Sequence, residues 1–372
     1  MSENYFLKFT LNNELTDSAL YKIVIFKTFL VISGFIVLTI LFFIDYYKKG
    51  ILRFIARKQN FLQNIILFLS TIFISLVISE LAIRVILFGD VKYNFAPGHP
   101  EFNEKYVSLN KEGYRDIDHT YNKEKNTTRI AVLGDSYTFG AGIKNINDIY
   151  WKKLEKLMNK NSENITYELL NFGKSGIDTE YEISILKNEA HLYKPDIIVV
   201  GYVLNDFRDI EKIQEEKLNF YLFWFDKYME RSSYLYYFSK KGFNGVMETF
   251  GFKESYYGSI INSFDSKKNK EFNKLYFKEL KELSEKNNAI LMIVVFPFIY
   301  RLDDYPFVNA HNFVIQAGVE NDIIVLDLLP YFKIYDETEL IVSRFDLHPN
   351  EFGHRIAADA IYKRLIKAKI IP

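Results

Sequence analysis

The stretch that decides the fold is Arg129-Ile-Ala-Val-Leu-Gly-Asp-Ser-Tyr-Thr-Phe-Gly140. Its apolar residues 130–133 are typical of a buried parallel strand, and the apolar run stops abruptly at Gly134-Asp135-Ser136. Open α/β sheets place their chemistry in the crevice above the carboxyl ends of the strands. Because Gly, Asp and Ser are also ordinary turn residues, this stretch alone is equally compatible with a strand that ends in a plain turn.

Strands and helices alternate from residue 129 onward. The pattern predicts further strands over 165–172, 196–204, 289–296 and 323–328, and helices over 149–158, 180–193, 271–285 and 354–369. Strands separated by helices form parallel βαβ units, so we expect a three-layer α/β/α domain with a parallel sheet over 129–372. Residues 207–267 interrupt the alternation as an irregular, aromatic insertion, and residues 91–128 form a lead-in rich in turn residues.

Two long apolar runs, 23–44 and 65–88, lie near the start of the chain, and each is long enough for a bilayer core. The loop between them carries Lys48, Lys49, Arg53, Arg57 and Lys58, which predicts that this loop is cytoplasmic. We therefore predict a membrane anchor of two transmembrane helices over residues 1–90. The domain of residues 129–372 would then lie on the extracytoplasmic, periplasmic side of a bacterial inner membrane. Glu80 and Arg84 are one helical turn apart in the second run and are predicted to pair.

Composition excludes several function classes. Lys and Arg total 47, as do Asp and Glu, so bulk charge gives no argument for nucleic-acid binding. The chain has no cysteine, and its histidines show no metal-ligand spacing, so neither a metal nor an organic cofactor is expected.

Small polar residues follow the predicted strands and precede the last helix. Ser136 offers a hydroxyl that needs a base to become a nucleophile, and His348 is a suitable base because its ordinary pKa lies near neutrality. Asp346 could orient the imidazole. The backbone N–H groups of Ser136 and Gly176 and the side-chain amide of Asn205 could stabilise a developing oxyanion.

These residues resemble the four sequence blocks of the SGNH (GDSL-type) esterases and lipases. Gly134-Asp135-Ser136 is similar to the first block, Gly176 to the second, Asn205 to the third, and His348 with Pro349-Asn350 to the last. The resemblance covers about residues 105–370. It implies a flavodoxin-like fold, Ser136 as nucleophile, His348 as base, and Gly176 with Asn205 in the oxyanion hole. Gly173 fits the second block less well than Gly176.

The chain departs from the family pattern in two places. Val203 stands where the third block usually has a glycine, two residues before Asn205. Phe345 stands where the last block has its aspartate, three residues before the histidine, and Asp346 is only two before. The imidazole could thus be oriented by Asp346 or by a backbone carbonyl. Asp135 is expected to brace its turn by hydrogen bonding rather than react.

The residues and the resemblance together predict a membrane-anchored serine ester hydrolase. Its expected substrate is an acylated glycan or lipid of the cell envelope. A polysaccharide O-acyltransferase with the same triad and a non-catalytic glycan-binding module are the alternatives. His354 is expected to pack or cap rather than react, and the aromatic run Phe220–Phe225 is interpreted either as a pocket lining or as the core of its own insertion.

Overall fold

The structure is a computed structural model. It describes residues 59–88, 105–207, 255–343 and 346–371, with isolated residues between these ranges; within 59–88 it describes the side chains of 66–82. The chain divides into two compact units. The first contains residues 1–93 and 224–246, and the second contains 94–223 and 247–372. Part of the predicted aromatic insertion thus groups with the N-terminal unit, and the run Phe220–Phe225 lies almost wholly outside the described residues.

The first unit contains helix α1 (Gln59–Phe88), which covers the second apolar run. The Glu80 carboxylate accepts hydrogen bonds from Ser233 Oγ at 2.9 Å and from the Leu235 N–H at 2.8 Å. The side chain of Arg84, the predicted partner of Glu80, lies outside the described residues. No helix in the described part of the chain is both long and apolar enough to cross a membrane, so the predicted span 65–88 is not confirmed. The predicted span 23–44 falls outside the described residues.

The second unit is built on a five-stranded, fully parallel sheet in the order β2-β1-β3-β4-β5. The strands are β1 (Thr127–Gly134), β2 (Thr166–Asn171), β3 (Ile197–Val203), β4 (Ile290–Phe296) and β5 (Ile324–Asp327). Every residue of β3 is buried, which fits its central position in the sheet. The predicted parallel α/β fold is confirmed, and the strand order is that of flavodoxin-like folds.

Helices cover both faces of this sheet. They are α2 (Ser136–Phe139), α3 (Tyr150–Lys160), α4 (Thr179–Asn188), α5 (Tyr256–Asp265), α6 (Lys267–Lys286), α7 (Val308–Glu320), α8 (Leu329–Phe332), α9 (Glu337–Leu340) and α10 (Glu351–Lys367). Helix α3 packs on α10, and α6 packs on α4 and α7. The chain runs from β1 to β2 in one direction across the sheet and from β2 to β3 in the other. Right-handed crossovers therefore put α3 and α4 on opposite faces.

Several elements differ from the prediction, and helix α7 (Val308–Glu320) is among those that the sequence pattern did not predict. Residues 256–265, expected to be irregular, form helix α5, whose N-cap Ser255 accepts a hydrogen bond from the Gly258 N–H. Residues 341–343 and 346–349, which lie outside every predicted strand, form a two-stranded antiparallel hairpin of β6 (Ile341–Ser343) and β7 (Asp346–Pro349). Asn350 then caps α10 by accepting hydrogen bonds from the N–H groups of Phe352 and Gly353.

Candidate active site

Ser136 lies at the carboxyl end of β1, beside the point where the strand order reverses between β1 and β3. This is where open α/β sheets form their ligand crevice. Gly134 ends the strand with φ +152°, and a Cβ there would stand 2.1 Å from Thr138 Oγ1 and 2.9 Å from the Gly201 carbonyl oxygen. Only glycine permits this close approach. The chain turns sharply into α2, and Ser136 is its first residue and is partly exposed.

The histidine and the aspartate of the predicted triad lie on β7. His348 Nε2 is 2.8 Å from Ser136 Oγ, and His348 Nδ1 is 2.6 Å from Asp346 Oδ1. A neutral imidazole that donates from Nδ1 to the carboxylate leaves Nε2 free to accept the serine proton. The Asp346 side chain is 2% exposed and that of His348 is 23% exposed, so the carboxylate is shielded while the imidazole remains reachable. The structure therefore assembles a Ser–His–Asp hydrogen-bonded chain.

Asp135 lies beneath the serine as the N-cap of α2. Its Oδ1 accepts a hydrogen bond from the Tyr137 N–H at 2.9 Å, and its Oδ2 is 3.2 Å from Ser136 Oγ and 3.3 Å from Asn205 Nδ2. Burial raises the pKa of the Asp135 carboxyl, while the Tyr137 N–H, the nearby His348, the Asn205 amide and the Ser136 hydroxyl oppose that rise. Asp135 thus connects the nucleophile to the turn that carries Asn205.

The predicted oxyanion donors stand in different relations to the serine. Asn205 lies in the 3₁₀ turn Leu204–Asp206 after β3, is exposed, and reaches the site through Asp135. The Ser136 N–H is in the first turn of a helix, where N–H groups lack a partner within the helix. Gly176 is exposed with φ +78°, and no hydrogen bond among the described residues joins it to Ser136, His348 or Asn205. The structure thus connects Asn205 to the site by one hydrogen bond to Asp135, whereas Gly176 is linked to it only by its position in the loop after β2.

Gly173 and Gly201, to which no catalytic role is assigned, fix the shape of the site. A Cβ on Gly173 would stand 2.7 Å from the Phe139 backbone nitrogen, so the end of β2 packs directly on α2. A Cβ on Gly201 would stand 2.6 Å from Thr138 Oγ1. Val203, which replaces the expected glycine, donates its N–H to Asp206 Oδ2 at 2.7 Å, and this bond holds the Asn205 turn.

The remaining histidines lie in other networks. His354 is fully buried and accepts a hydrogen bond from the Tyr150 N–H at 3.3 Å, and burial lowers its pKa to about 3. His311 joins Tyr305 at 3.0 Å and Asp327 at 2.7 Å. His119 joins Asp116 at 3.1 Å and Glu168 at 2.8 Å. Within the described residues, no group of three or more acidic or histidine side chains could hold a metal ion.

Comparison with known proteins gives similarity in structure only. No protein-family model matches the chain, and no curated protein matches it. Among solved structures, it is similar to a two-domain esterase (CEX) active on acetylated mannans, with 15% identity, a TM-score of 0.43 and coverage of 66% of this chain. The match spans 50% of the length of that esterase.

Two other solved structures are matched over nearly their whole length, with similar identities and TM-scores. The acetylxylan esterase Axe2 from Geobacillus stearothermophilus has 13% identity and a TM-score of 0.40, with coverage of 65% of this chain and 96% of Axe2. A lipolytic protein of the G-D-S-L family from Desulfitobacterium hafniense DCB-2 has 15% identity and a TM-score of 0.39, with coverage of 64% of this chain and 99% of its own.

Proposed function

We propose that the second unit is a serine ester hydrolase. The observation that carries this proposal is the hydrogen-bonded chain from Ser136 Oγ through His348 to Asp346, at 2.8 and 2.6 Å. These distances are within the range that a nucleophile, its base and the group that orients the base require. This hydrogen-bonded chain supports acyl transfer with Ser136 as nucleophile and His348 as its base.

The reaction proceeds in two halves. Ser136 Oγ attacks the acyl carbon as its proton passes to His348 Nε2, and the carbonyl oxygen becomes an oxyanion. The imidazolium returns the proton to the leaving alkoxide, the ester bond breaks, and the acyl group stays on Ser136. His348 then takes a proton from water, the hydroxide attacks the acyl-enzyme, and the serine is regenerated with release of the carboxylic acid. Asp346 stabilises the imidazolium in both halves.

The oxyanion requires hydrogen-bond donors, and we assign this role to the Ser136 N–H, the Asn205 amide and the Gly176 N–H. The contact between Asn205 Nδ2 and Asp135 Oδ2 at 3.3 Å supports the assignment of Asn205, since the same carboxylate oxygen is 3.2 Å from Ser136 Oγ. The Gly176 assignment rests on its position in the loop after β2. Donors held in place before the reaction stabilise the developing charge without reorganisation.

Tyrosines beside the site favour an acylated glycan over a lipid as substrate. Tyr256 is 56% exposed, and its ring lies 6.3 Å from that of Phe298, which follows the carboxyl end of β4 at the same edge of the sheet as Ser136. Tyr257 lies 5.4 Å from the Tyr256 ring and stacks on Tyr300 at 4.2 Å. Aromatic faces with hydroxyl groups suit sugar rings, which offer both apolar and polar edges.

The observed geometry argues against the non-catalytic glycan-binding module but is compatible with the O-acyltransferase. A non-catalytic module is favoured only if the shifted aspartate fails to reach the histidine, and Asp346 Oδ1 is 2.6 Å from His348 Nδ1. An O-acyltransferase would use the same triad, with a sugar hydroxyl in place of water.

The decisive experiment follows hydrolysis of p-nitrophenyl acetate and of acetylated polysaccharides by the full chain. Ser136→Ala and His348→Ala should each remove activity. Retention of activity in either variant would refute the proposal. An acyl donor that turns over much faster when glycan is added would identify the transferase. Failure of a serine-directed phosphonate to label Ser136 would favour the binding module.

We also propose that residues 1–90 hold the esterase unit at a bacterial inner membrane, on the periplasmic side. The apolar run 23–44 and the basic loop that follows it support this location. Apolar side chains of α1, including Ile66, Phe73 and Leu76, are more than half exposed and support contact with an apolar phase. Release of the full chain from membranes by alkaline carbonate would contradict the anchor.

A further inference from the structure

Two carboxyl groups outside the triad are completely buried. Glu182 lies on α4 and Asp206 lies in the 3₁₀ turn after β3, and each side chain is 0% exposed. Among the described residues, neither carboxyl oxygen of Glu182 has a hydrogen-bond partner, nor does Asp206 Oδ1. The Tyr202 hydroxyl, also buried, has none. Buried acids without partners are costly in the ionised form, so this cluster requires an explanation.

A hydrogen bond at the start of α4 connects the two elements that carry these acids. Thr179 Oγ1 donates to the Asp206 carbonyl oxygen at 3.3 Å, which holds the first turn of α4 against the 3₁₀ turn. Glu182 follows Thr179 by three residues, so the two share one face of the helix. Glu182 therefore faces the turn that contains Asp206.

The proposed oxyanion donors lie in or beside the 3₁₀ turn and helix α4. Asn205 precedes Asp206 in the 3₁₀ turn, and the loop with Gly176 leads directly into α4. Asp206 Oδ2 already accepts the Val203 N–H at 2.7 Å, which fixes one side of the turn. A bond from Asp206 Oδ1 to Glu182 would fix the other side, and that bond needs one proton between the two carboxyl groups.

Electrostatics favours retention of this proton at neutral pH. Burial raises the pKa of both carboxyl groups well above the ordinary range, and the negative charge of Asp135 raises both further. The titratable groups that face the pair are Asp135 at the end of β1, Asp178 at the start of α4, Tyr202 on β3, Tyr150 on α3 and Tyr256 on α5. None of these five offers a positive charge.

We propose that Glu182 and Asp206 share one proton and are positioning residues, which hold the Asn205 turn against α4 and so align Asn205 with Ser136. This inference rests on the proposed ester hydrolase. The proton is bound at low and neutral pH. It is lost as the pH rises through the raised pKa of the pair, and two adjacent buried anions then push the turn and α4 apart.

Kinetics of full-length variants test the positioning role. In Glu182→Gln the amide replaces the protonated acid, so kcat for p-nitrophenyl acetate should stay within about threefold at neutral pH, and the alkaline decline of kcat should move to higher pH or disappear. Glu182→Ala should lower kcat roughly tenfold or more with KM nearly unchanged, since the turn is released while the binding surface remains. Glu180→Gln, on the same helix but exposed, is the control and should match the wild type.

Two kinetic results would overturn the proposal. One is a Glu182→Gln pH profile identical to that of the wild type. The other is an unchanged kcat in folded Glu182→Ala, with folding verified by circular dichroism.

Infrared difference spectroscopy tests the shared proton without any measurement of activity. The wild type at neutral pH should show the C=O stretch of a protonated carboxyl group, and this band should weaken in Glu182→Gln and in Asp206→Asn. Absence of the band in the wild type would refute the shared proton even if Glu182→Ala were impaired. If the wild type showed no ester hydrolysis but kept the band, the proposed function would fail, the positioning role would fall with it, and the shared proton would stand.

Discussion

Asp346 and His348 point to the same side of strand β7, with Oδ1 of the aspartate 2.6 Å from Nδ1 of the histidine. Side chains two residues apart in an extended strand share a face, so this spacing brings a carboxylate to an imidazole without a turn between them. The same Oδ1 is 3.2 Å from the His348 backbone N–H, which fixes the carboxylate locally. The hairpin with β6 holds the strand extended, and the unusual spacing of the last motif is accommodated by that extension.

Asp346→Asn should lower kcat by about a thousand- to ten-thousandfold while the protein remains folded. The amide would donate to Nδ1, or at best hold the imidazole in the wrong tautomer, so Nε2 could no longer accept the Ser136 proton. Steady-state hydrolysis of p-nitrophenyl acetate measures the loss. Asp303→Asn, at an exposed position, is the matched control and should keep wild-type kcat. A fall of less than tenfold would instead mean that a backbone carbonyl orients His348.

Much of this site follows from local sequence, and the rest depends on contacts between distant residues. The strands and their polar ends are predictable because the buried apolar runs are continuous, as in β1 and β3. The β6–β7 hairpin is not, because Ile341 and Ser343 show no strand pattern until they pair with Pro349 and Asp346. The burial of Glu182 also depends on contacts between distant residues. A glutamate in the first turn of a helix is normally exposed, and only the packing of α4 buries this one.

Asn205→Ala should reduce kcat roughly a hundred- to a thousandfold with a small effect on KM. The amide acts on the charge that develops in the transition state, so its loss affects the rate more than substrate binding. Comparison of kcat and KM for acetate esters measures this split. Asn159→Ala, on α3, removes an amide of a different region and should leave kcat unchanged. An Asn205→Ala variant with raised KM and normal kcat would assign this side chain to substrate binding.

Gly173→Ala should destabilise the fold by about 1–3 kcal/mol and slow acylation of the serine. The new methyl group would stand 2.7 Å from the Phe139 nitrogen and 2.7 Å from Thr138 Cγ2, so α2 and Ser136 with it must move. Thermal unfolding and the rate of Ser136 labelling by a phosphonate measure the two effects. Ser175→Ala, exposed in the same loop, should change neither; equal behaviour of the two variants would show that α2 accommodates the methyl group.

Tyr256→Ala should raise KM for an acetylated polysaccharide several-fold and leave kcat/KM for p-nitrophenyl acetate near the wild-type value. The small ester needs only the triad and the oxyanion donors, whereas a sugar ring would lose a stacking surface of the kind that contributes about 0.5–1.5 kcal/mol. Tyr331→Ala, a tyrosine 38% exposed on α8, is the control. Equal losses on both substrates would place Tyr256 in the support of the catalytic residues rather than in substrate binding.

His354→Gln should make the fold less sensitive to acid. Burial holds the pKa of His354 near 3, against 6.5 in the unfolded chain, so between these values the unfolded state binds a proton that the folded state does not. Stability is then lost as the pH falls below 6.5, by up to about 1.4 kcal/mol per pH unit. Glutamine can still accept a hydrogen bond from the Tyr150 N–H, so the melting temperature of the variant should fall less than that of the wild type between pH 7 and 4.

His119→Gln is the opposite control: burial lowers the pKa of His119, but the hydrogen bonds and charges of Asp116 and Glu168 outweigh this and raise it. Protonated His119 therefore stabilises the fold fully below pH 6.5, and this stabilisation is lost as the pH rises through the raised pKa. It is absent in His119→Gln, so this variant should have a lower melting temperature than the wild type in acid. Parallel curves for His354→Gln and the wild type would show that His354 takes up its proton in the folded state.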